Sequence, residues 1–135
     1  MFEIKSRDGT LVAIVANFNS FQEGISFYGK REDPMQVLAF RYNRDHVMRD
    51  HMHIPRDRVV HKTQEAVIVF KGRAEVRTFD ERGKVLDVRN IGAGDIYMSY
   101  SGGVGYTVLE NDTIMVEVKV GPYDIQSDDE DRRLL

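Results

Sequence analysis

Apolar side chains along this chain come in short bursts, each closed within a few residues by Gly, Asp, Asn or Pro. That pattern predicts strands and tight turns. No segment keeps the i, i+3, i+4, i+7 spacing of a helix over a helical length. Phe2-Glu3-Ile4 and residues 11–16 flank Asp8-Gly9, a dipeptide suited to a tight hairpin turn. Residues 25–28 predict a short strand ending at Gly29, and residues 37–42 another between Asp33-Pro34 and Asn43-Arg44-Asp45. Residues 66–70 are continuously apolar, as in a strand covered on both faces. Ala74, Val76 and Thr78 alternate with Glu75 and Arg77, as on a half-buried strand. The turn Asp80-Glu81-Arg82-Gly83 leads into residues 85–88, and Gly92-Ala93-Gly94-Asp95 precedes residues 96–100. Residues 106–109 and 114–120 complete the set around Glu110-Asn111-Asp112. In the last run Ile114, Val116, Val118 and Val120 share one face, and Glu117 and Lys119 share the other.

Many short strands with almost no helix predict an all-β sandwich or barrel. At 135 residues the chain fits one domain, and such a domain buries roughly two-thirds of its unfolded surface without needing a staple. The domain is expected over residues 1–124. Residues 125–135, with Asp128-Asp129-Glu130-Asp131, read as an acidic tail, solvated or forming a short helix. Cysteine is absent, which excludes disulfides, thiolate metal sites and cysteine nucleophiles and suits a reducing compartment. The net charge is -3, and basic residues interleave with acidic ones, as in Arg56-Asp57-Arg58, so no nucleic-acid footprint emerges. Residues 1–8 lack the basic-then-apolar layout of a signal peptide, and no apolar run approaches the roughly 20 residues of a membrane span. The expectation is a soluble cytoplasmic protein with a small-molecule ligand, bound to neither nucleic acid nor membrane.

The chemistry-bearing residues are unevenly spread. All four histidines fall between positions 46 and 61. On a strand, His51-Met52-His53 would present both imidazoles on one face, with Glu65 following on the next strand. Imidazole with carboxylate suits Fe, Mn, Zn, Ni or Cu. The plainer alternative is two exposed histidines in a polar loop over residues 49–58. His46 is expected at the surface, and His61 in a structural or exposed place. Tyr97 and Tyr100 face opposite sides of their strand, so one of them at most joins Tyr106 in a pocket. Arg58 lies between the candidate ligands and has the fork geometry for a phosphate or carboxylate. Gly102-Gly103-Val104-Gly105 has no helix start behind it, so a tight strand turn explains it better than a phosphate cradle.

His-x-His, then Glu65, then Gly72 resembles the first motif of the cupin superfamily, and Gly94-Asp95 followed by a strand and Ser101-Gly102-Gly103 resembles the start of the second. The chain is most similar to small single-domain cupins of bacterial surface-polysaccharide and sugar-nucleotide pathways. The shared strings are His51-x-His53-x-Pro55-x-x-Arg58, Thr63-Gln64-Glu65, Gly102-Gly103-x-Gly105, Leu109-Glu110 and Glu117-Val118-Lys119-x-Gly121-Pro122-Tyr123. The resemblance covers residues 48–124. It implies a cupin-type double-stranded β-helix (a jelly-roll barrel), with His51, His53 and Glu65 as ligands of a divalent metal such as Fe, Mn, Ni or Zn. In these relatives the second motif supplies a further histidine, where this chain has Val104. Valine cannot coordinate, but two histidines and a carboxylate still make a facial triad. In a second alignment, His61 and Glu65 carry the motif and Val59 replaces its first histidine.

Two functions follow as expectations. One is an enzyme acting on a sugar nucleotide or other small carbonyl compound, through a metal at His51, His53 and Glu65 or through His53 as base and Tyr106 as acid. Arg58, Tyr97 and Val104 would then contact the substrate. The other is a non-catalytic, carbohydrate-binding cupin that has lost its full metal site. A homodimer is expected from the apolar strand edges and from the resemblance.

Overall fold

The structure is a computed structural model, and it describes residues 1–121 and 133–135. Ten strands follow one another: β1 (Phe2–Lys5), β2 (Leu11–Asn17), β3 (Gly24–Tyr28), β4 (Val37–Arg41), β5 (Glu65–Lys71), β6 (Arg73–Phe79), β7 (Val85–Gly92), β8 (Asp95–Ser99), β9 (Gly103–Val108) and β10 (Ile114–Lys119). Among the described residues the sole helical element is a 3-10 turn, Phe18–Ser20. The expected acidic tail falls mostly on residues 122–132, outside the described residues.

The strands form antiparallel sheets. A five-stranded sheet has the order β1-β2-β8-β5-β10, a three-stranded sheet the order β7-β6-β9, and β3 pairs with β4 alone. The architecture is all-β and layered, and none of these sheets closes on itself among the described residues.

Side-chain alternation sends the five-stranded sheet into two separate cores. On one face Ile14, Ala16, Ala66, Ile96, Met98 and Tyr100 pack against Tyr28 and Ala39 of the β3–β4 hairpin and against Met35. On the other, Ile4, Ala13, Val69 and Tyr97 pack against Ala74, Val76 and Ile91 of the three-stranded sheet. The unbroken apolar run over residues 66–70 therefore belongs to a strand covered on both faces for most of its length. Tyr97 and Tyr100 do face opposite ways, one into each core.

Turn chemistry sets the connections. At Asp8-Gly9 the Asp8 carboxylate accepts from the Ser6 hydroxyl and from the Thr10 N–H at 3.0 Å, and these bonds hold its pKa down to about 2. Gly102 closes the β8–β9 turn at φ +72, and a Cβ there would lie 2.1 Å from the Phe79 carbonyl oxygen. Only glycine fits both that backbone and that contact. Asp95 ties the β7–β8 turn down: it accepts from Gly92 N–H at 2.8 Å and from the Asn17 side-chain amide at 2.8 Å.

Candidate functional site

At one end of the layer between the five- and three-stranded sheets the side chains stop meeting, leaving a cavity of about 570 Å³. Its walls include Glu65 of β5, Ser99 of β8, Glu117 and Lys119 of β10, and Val104 and Tyr106 of β9. Strand register explains why these residues converge. Lys119 pairs with Glu65, and Glu65 pairs with Ser99, so a cation, an anion and a hydroxyl lie in one row across β10, β5 and β8. In the next row of that face, Glu117 pairs with Val67, which pairs with Tyr97. From the opposite sheet, Val104 pairs with Thr78 and Tyr106 with Val76. Thr78 and Val76 are fully buried, so the same face of β9 brings Val104 and Tyr106 to the cavity.

A chain of hydroxyls links the cavity to the core. The Tyr106 hydroxyl donates to Glu65 Oε1 across 3.4 Å, long for an O–H···O bond. The Tyr106 ring meets the Tyr97 ring edge-on, with centroids 6.1 Å apart. The Tyr97 hydroxyl is hydrogen-bonded to Thr78 Oγ1 at 3.0 Å. Burial pushes the Tyr97 pKa up to about 12, with the Glu65 charge adding to the rise and the Thr78 hydrogen bond opposing it. Burial, followed by the nearby Glu65 charge, drives the Tyr106 pKa well above the usual tyrosine range. Both phenols therefore stay protonated at neutral pH and do not act as bases; Tyr106 donates to Glu65, and between Tyr97 and Thr78 either hydroxyl can donate. Lys119, largely buried, has its ammonium 3.8 Å from Glu117. Arg77, on the strand face opposite Val76 and Thr78, also lines the cavity, bonded to Glu75 at 2.8 Å and to Thr107 at 2.7 Å. Arg133, Leu134 and Leu135 also line the cavity mouth; Arg133 donates to the Glu81 carbonyl at 3.2 Å.

The expected site residues thus divide. Glu65, Tyr106 and Val104 line one cavity, and Tyr97 packs behind Tyr106. His51, His53 and Arg58 lie elsewhere, in the exposed stretch 43–63 of a segment over residues 42–64 that forms no strand. The expectation of His51-x-His53 on a strand is corrected here. The segment carries Pro55 and dense alternating charge, and it has no pairing partner, so the period-two argument does not apply to it. The two rings still lie side by side, edge to face with centroids 5.3 Å apart, and His51 Nδ1 is 2.9 Å from the Arg49 carbonyl. Among the described residues no group of three or more His, Asp or Glu side chains is placed to hold a metal ion. His46 stacks on Tyr42 with centroids 3.6 Å apart. His61 lines a separate hollow of about 320 Å³ with Lys30, Asp33 and Tyr100. Buried Gln64 braces that hollow: it accepts from Met35 N–H and donates to Asp33 and the Tyr100 carbonyl.

Ser99, Thr78 and Lys119 belong to the site and were not singled out from the sequence. For Lys119 the signal was present in the alternation of residues 114–120, which sets Glu117 and Lys119 apart from their apolar neighbours. For Thr78 the alternation with Ala74 and Val76 marks the inward face of its strand; for Ser99 nothing local does, and its role comes from pairing across distant strands.

No family model, curated protein or solved structure matches the chain in comparisons with known proteins. No helix among the described residues is long and apolar enough to cross a membrane.

Proposed function

We propose that this protein is a small cupin-like, jelly-roll-type domain that binds a hydroxyl-rich small molecule, of the sugar or sugar-nucleotide kind, in the Glu65–Tyr106 cavity. The long Tyr106–Glu65 contact carries the proposal. A ligand hydroxyl placed between the two oxygens would accept from Tyr106 and donate to Glu65, replacing one poor hydrogen bond with two good ones. Ser99 supplies a further hydroxyl and Lys119 a cation for an anionic substituent. The cavity volume falls within the roughly 300–1,000 Å³ of small-molecule sites. No histidine lines this cavity among the described residues, which favours binding over proton abstraction by imidazole.

The test is calorimetric titration of free sugars and nucleotide sugars against the wild type, Glu65→Gln and Tyr106→Phe. Binding is expected in the wild type, with an affinity loss of about tenfold or more in each variant, as for a buried hydrogen bond to a charged group. Ligands that bind all three proteins equally would place the site elsewhere.

The adjacent His51 and His53 rings favour a second reading, a divalent metal held by this pair and completed by Glu65. Such a metal would polarise a carbonyl oxygen of the ligand. Elemental mass spectrometry on tag-free protein would then find near-stoichiometric Fe, Mn, Ni or Zn that is lost in His51→Ala/His53→Ala. Protein that stays metal-free after incubation with each ion sinks this second reading and leaves the first standing.

A further inference from the structure

On the outer face of the β6–β9 pair the row of side chains is interrupted by two glycines. Glu75 pairs with Thr107, Arg77 with Gly105 and Phe79 with Gly103, so Arg77 has bare backbone beside it. β9 is an edge strand of its sheet, and the cavity takes in Val104 and Tyr106 on one face of it and Gly103, Gly105 and Arg77 on the other. The cavity therefore passes around the edge of β9. The Arg77 guanidinium is fixed from one corner: Nη1 donates to Glu75 at 2.8 Å and to Thr107 Oγ1 at 2.7 Å. Among the described residues Nε and Nη2 have no hydrogen-bond partner. That edge of the guanidinium faces Gly105, since a Cβ there would lie 3.2 Å from Nη2 and 3.6 Å from Nε. The missing side chain leaves a pair of donors open to the cavity.

We infer that the Nε–Nη2 edge of Arg77 is the carboxylate anchor of this cavity, and that the ligand is an acidic sugar rather than a neutral one. The inference rests on the sugar-binding reading and adds the charge of the ligand to it. Two parallel N–H groups on one guanidinium edge match the two oxygens of a carboxylate, a geometry that a lysine ammonium lacks. Because Nη1 is already held, little side-chain freedom is lost when the ligand arrives. The other cations of the cavity are engaged: the Lys119 ammonium is 3.8 Å from Glu117, and Arg133 donates to the Glu81 carbonyl. Charge balance selects a carboxylate over a phosphate. Glu65, Glu75 and Glu117 offset Arg77, Lys119 and Arg133 around the cavity. A single negative charge is accommodated there better than the roughly −1.5 to −2 of a phosphate monoester.

Calorimetric titration of paired sugars tests the anchor: glucuronate against glucose, and galacturonate against galactose. Each acid is expected to bind the wild type about tenfold or more tighter than its neutral parent. Arg77→Met is expected to remove that difference, and Arg77→Lys to restore it only in part, since an ammonium has no fork. Gly105→Ala is expected to weaken the acids more than the neutral sugars, because its methyl group fills the approach to Nε and Nη2. Acids that bind no tighter than their parents, or a preference that survives Arg77→Met, overturn the anchor and leave the cavity reading in place. Glucose 6-phosphate binding more tightly than glucuronate overturns the choice of carboxylate. Acetate is a probe without hydroxyls, so it reports on Arg77 apart from the Glu65–Tyr106 contact. Millimolar acetate is expected to shift one arginine Nε–H signal in a nitrogen-correlated NMR spectrum, a signal absent from Arg77→Met. That shift in a protein that binds no sugar would overturn the cavity reading and not the anchor. An Arg77 signal indifferent to both acetate and glucuronate overturns the anchor itself.

Discussion

Among the described residues Tyr97 is the largest side chain fully withdrawn from solvent, and its hydroxyl is hydrogen-bonded to Thr78, which is equally buried. Replacing that threonine with the similarly shaped valine removes a partner from a buried polar group. Thr78→Val is therefore expected to lower stability by about 1–2 kcal/mol in urea unfolding. Added to Tyr97→Phe it should cost less than the two single effects summed, because the phenylalanine leaves no hydroxyl to orphan. Gly102→Ala should cost about 2 kcal/mol or more, since both the positive φ and the Phe79 carbonyl oppose a Cβ; a loss under about 0.5 kcal/mol would mean that the turn relaxes. Glu65 and Val104 are legible from motif spacing and not from alternation, since residues 66–70 form an unbroken apolar run and Val104 falls in an expected turn; Tyr106 alone of the three lies in an expected strand. His51 and His53 were expected on a strand that the structure does not form there: a two-residue spacing assigns a face only where neighbouring strands hold the backbone extended.

All ten strands were legible as elements, since each pairs a short apolar or alternating run with a turn residue. Boundaries drifted where side chains give no signal. β9 begins at Gly103, before the expected Tyr106, because β6 pairs with it there regardless of its glycines. At Gly105 a Cβ would come within 3.2 Å of the Arg77 guanidinium, which lies over that glycine. The faces of β10 were legible, but which face turns inward was not. Polar-side-in is the rarer choice, and it is imposed by the register with β5. Asp95 shows how one side chain can join elements, bonding the β7–β8 turn and the end of β2 together. Asp95→Ala is expected to lower stability by about 1–3 kcal/mol, read as a shifted urea midpoint with an unchanged slope.

At the scale of the whole molecule the sheet order was not legible, because β2 meets β8 and β5 meets β10 across long stretches of chain. Only that long-range pairing brings Glu65, Ser99, Lys119 and Tyr106 to one cavity. It also buries phenols enough to make the fold sensitive to alkali. The Tyr97 pKa rises from 10.0 to about 12 on folding, so between those values the unfolded chain has released a proton that the folded one retains. Stability is thus fully present below pH 10 and falls as pH rises through that window, with Tyr106 acting in the same direction. Thermal melts across pH 8 to 12 should show the decline, and Tyr97→Phe should flatten it; an unaltered slope in that variant would assign the effect to other groups.

The Tyr106–Glu65 contact also makes the cavity its own optical reporter. The chain has no tryptophan, so its ultraviolet emission comes from phenols alone. A carboxylate that accepts from a phenol quenches it, and a guest inserted between the two oxygens would relieve the quenching. Occupancy should therefore register as brighter emission near 300 nm in unlabelled protein, and Tyr106→Phe should remain dark to the same guest.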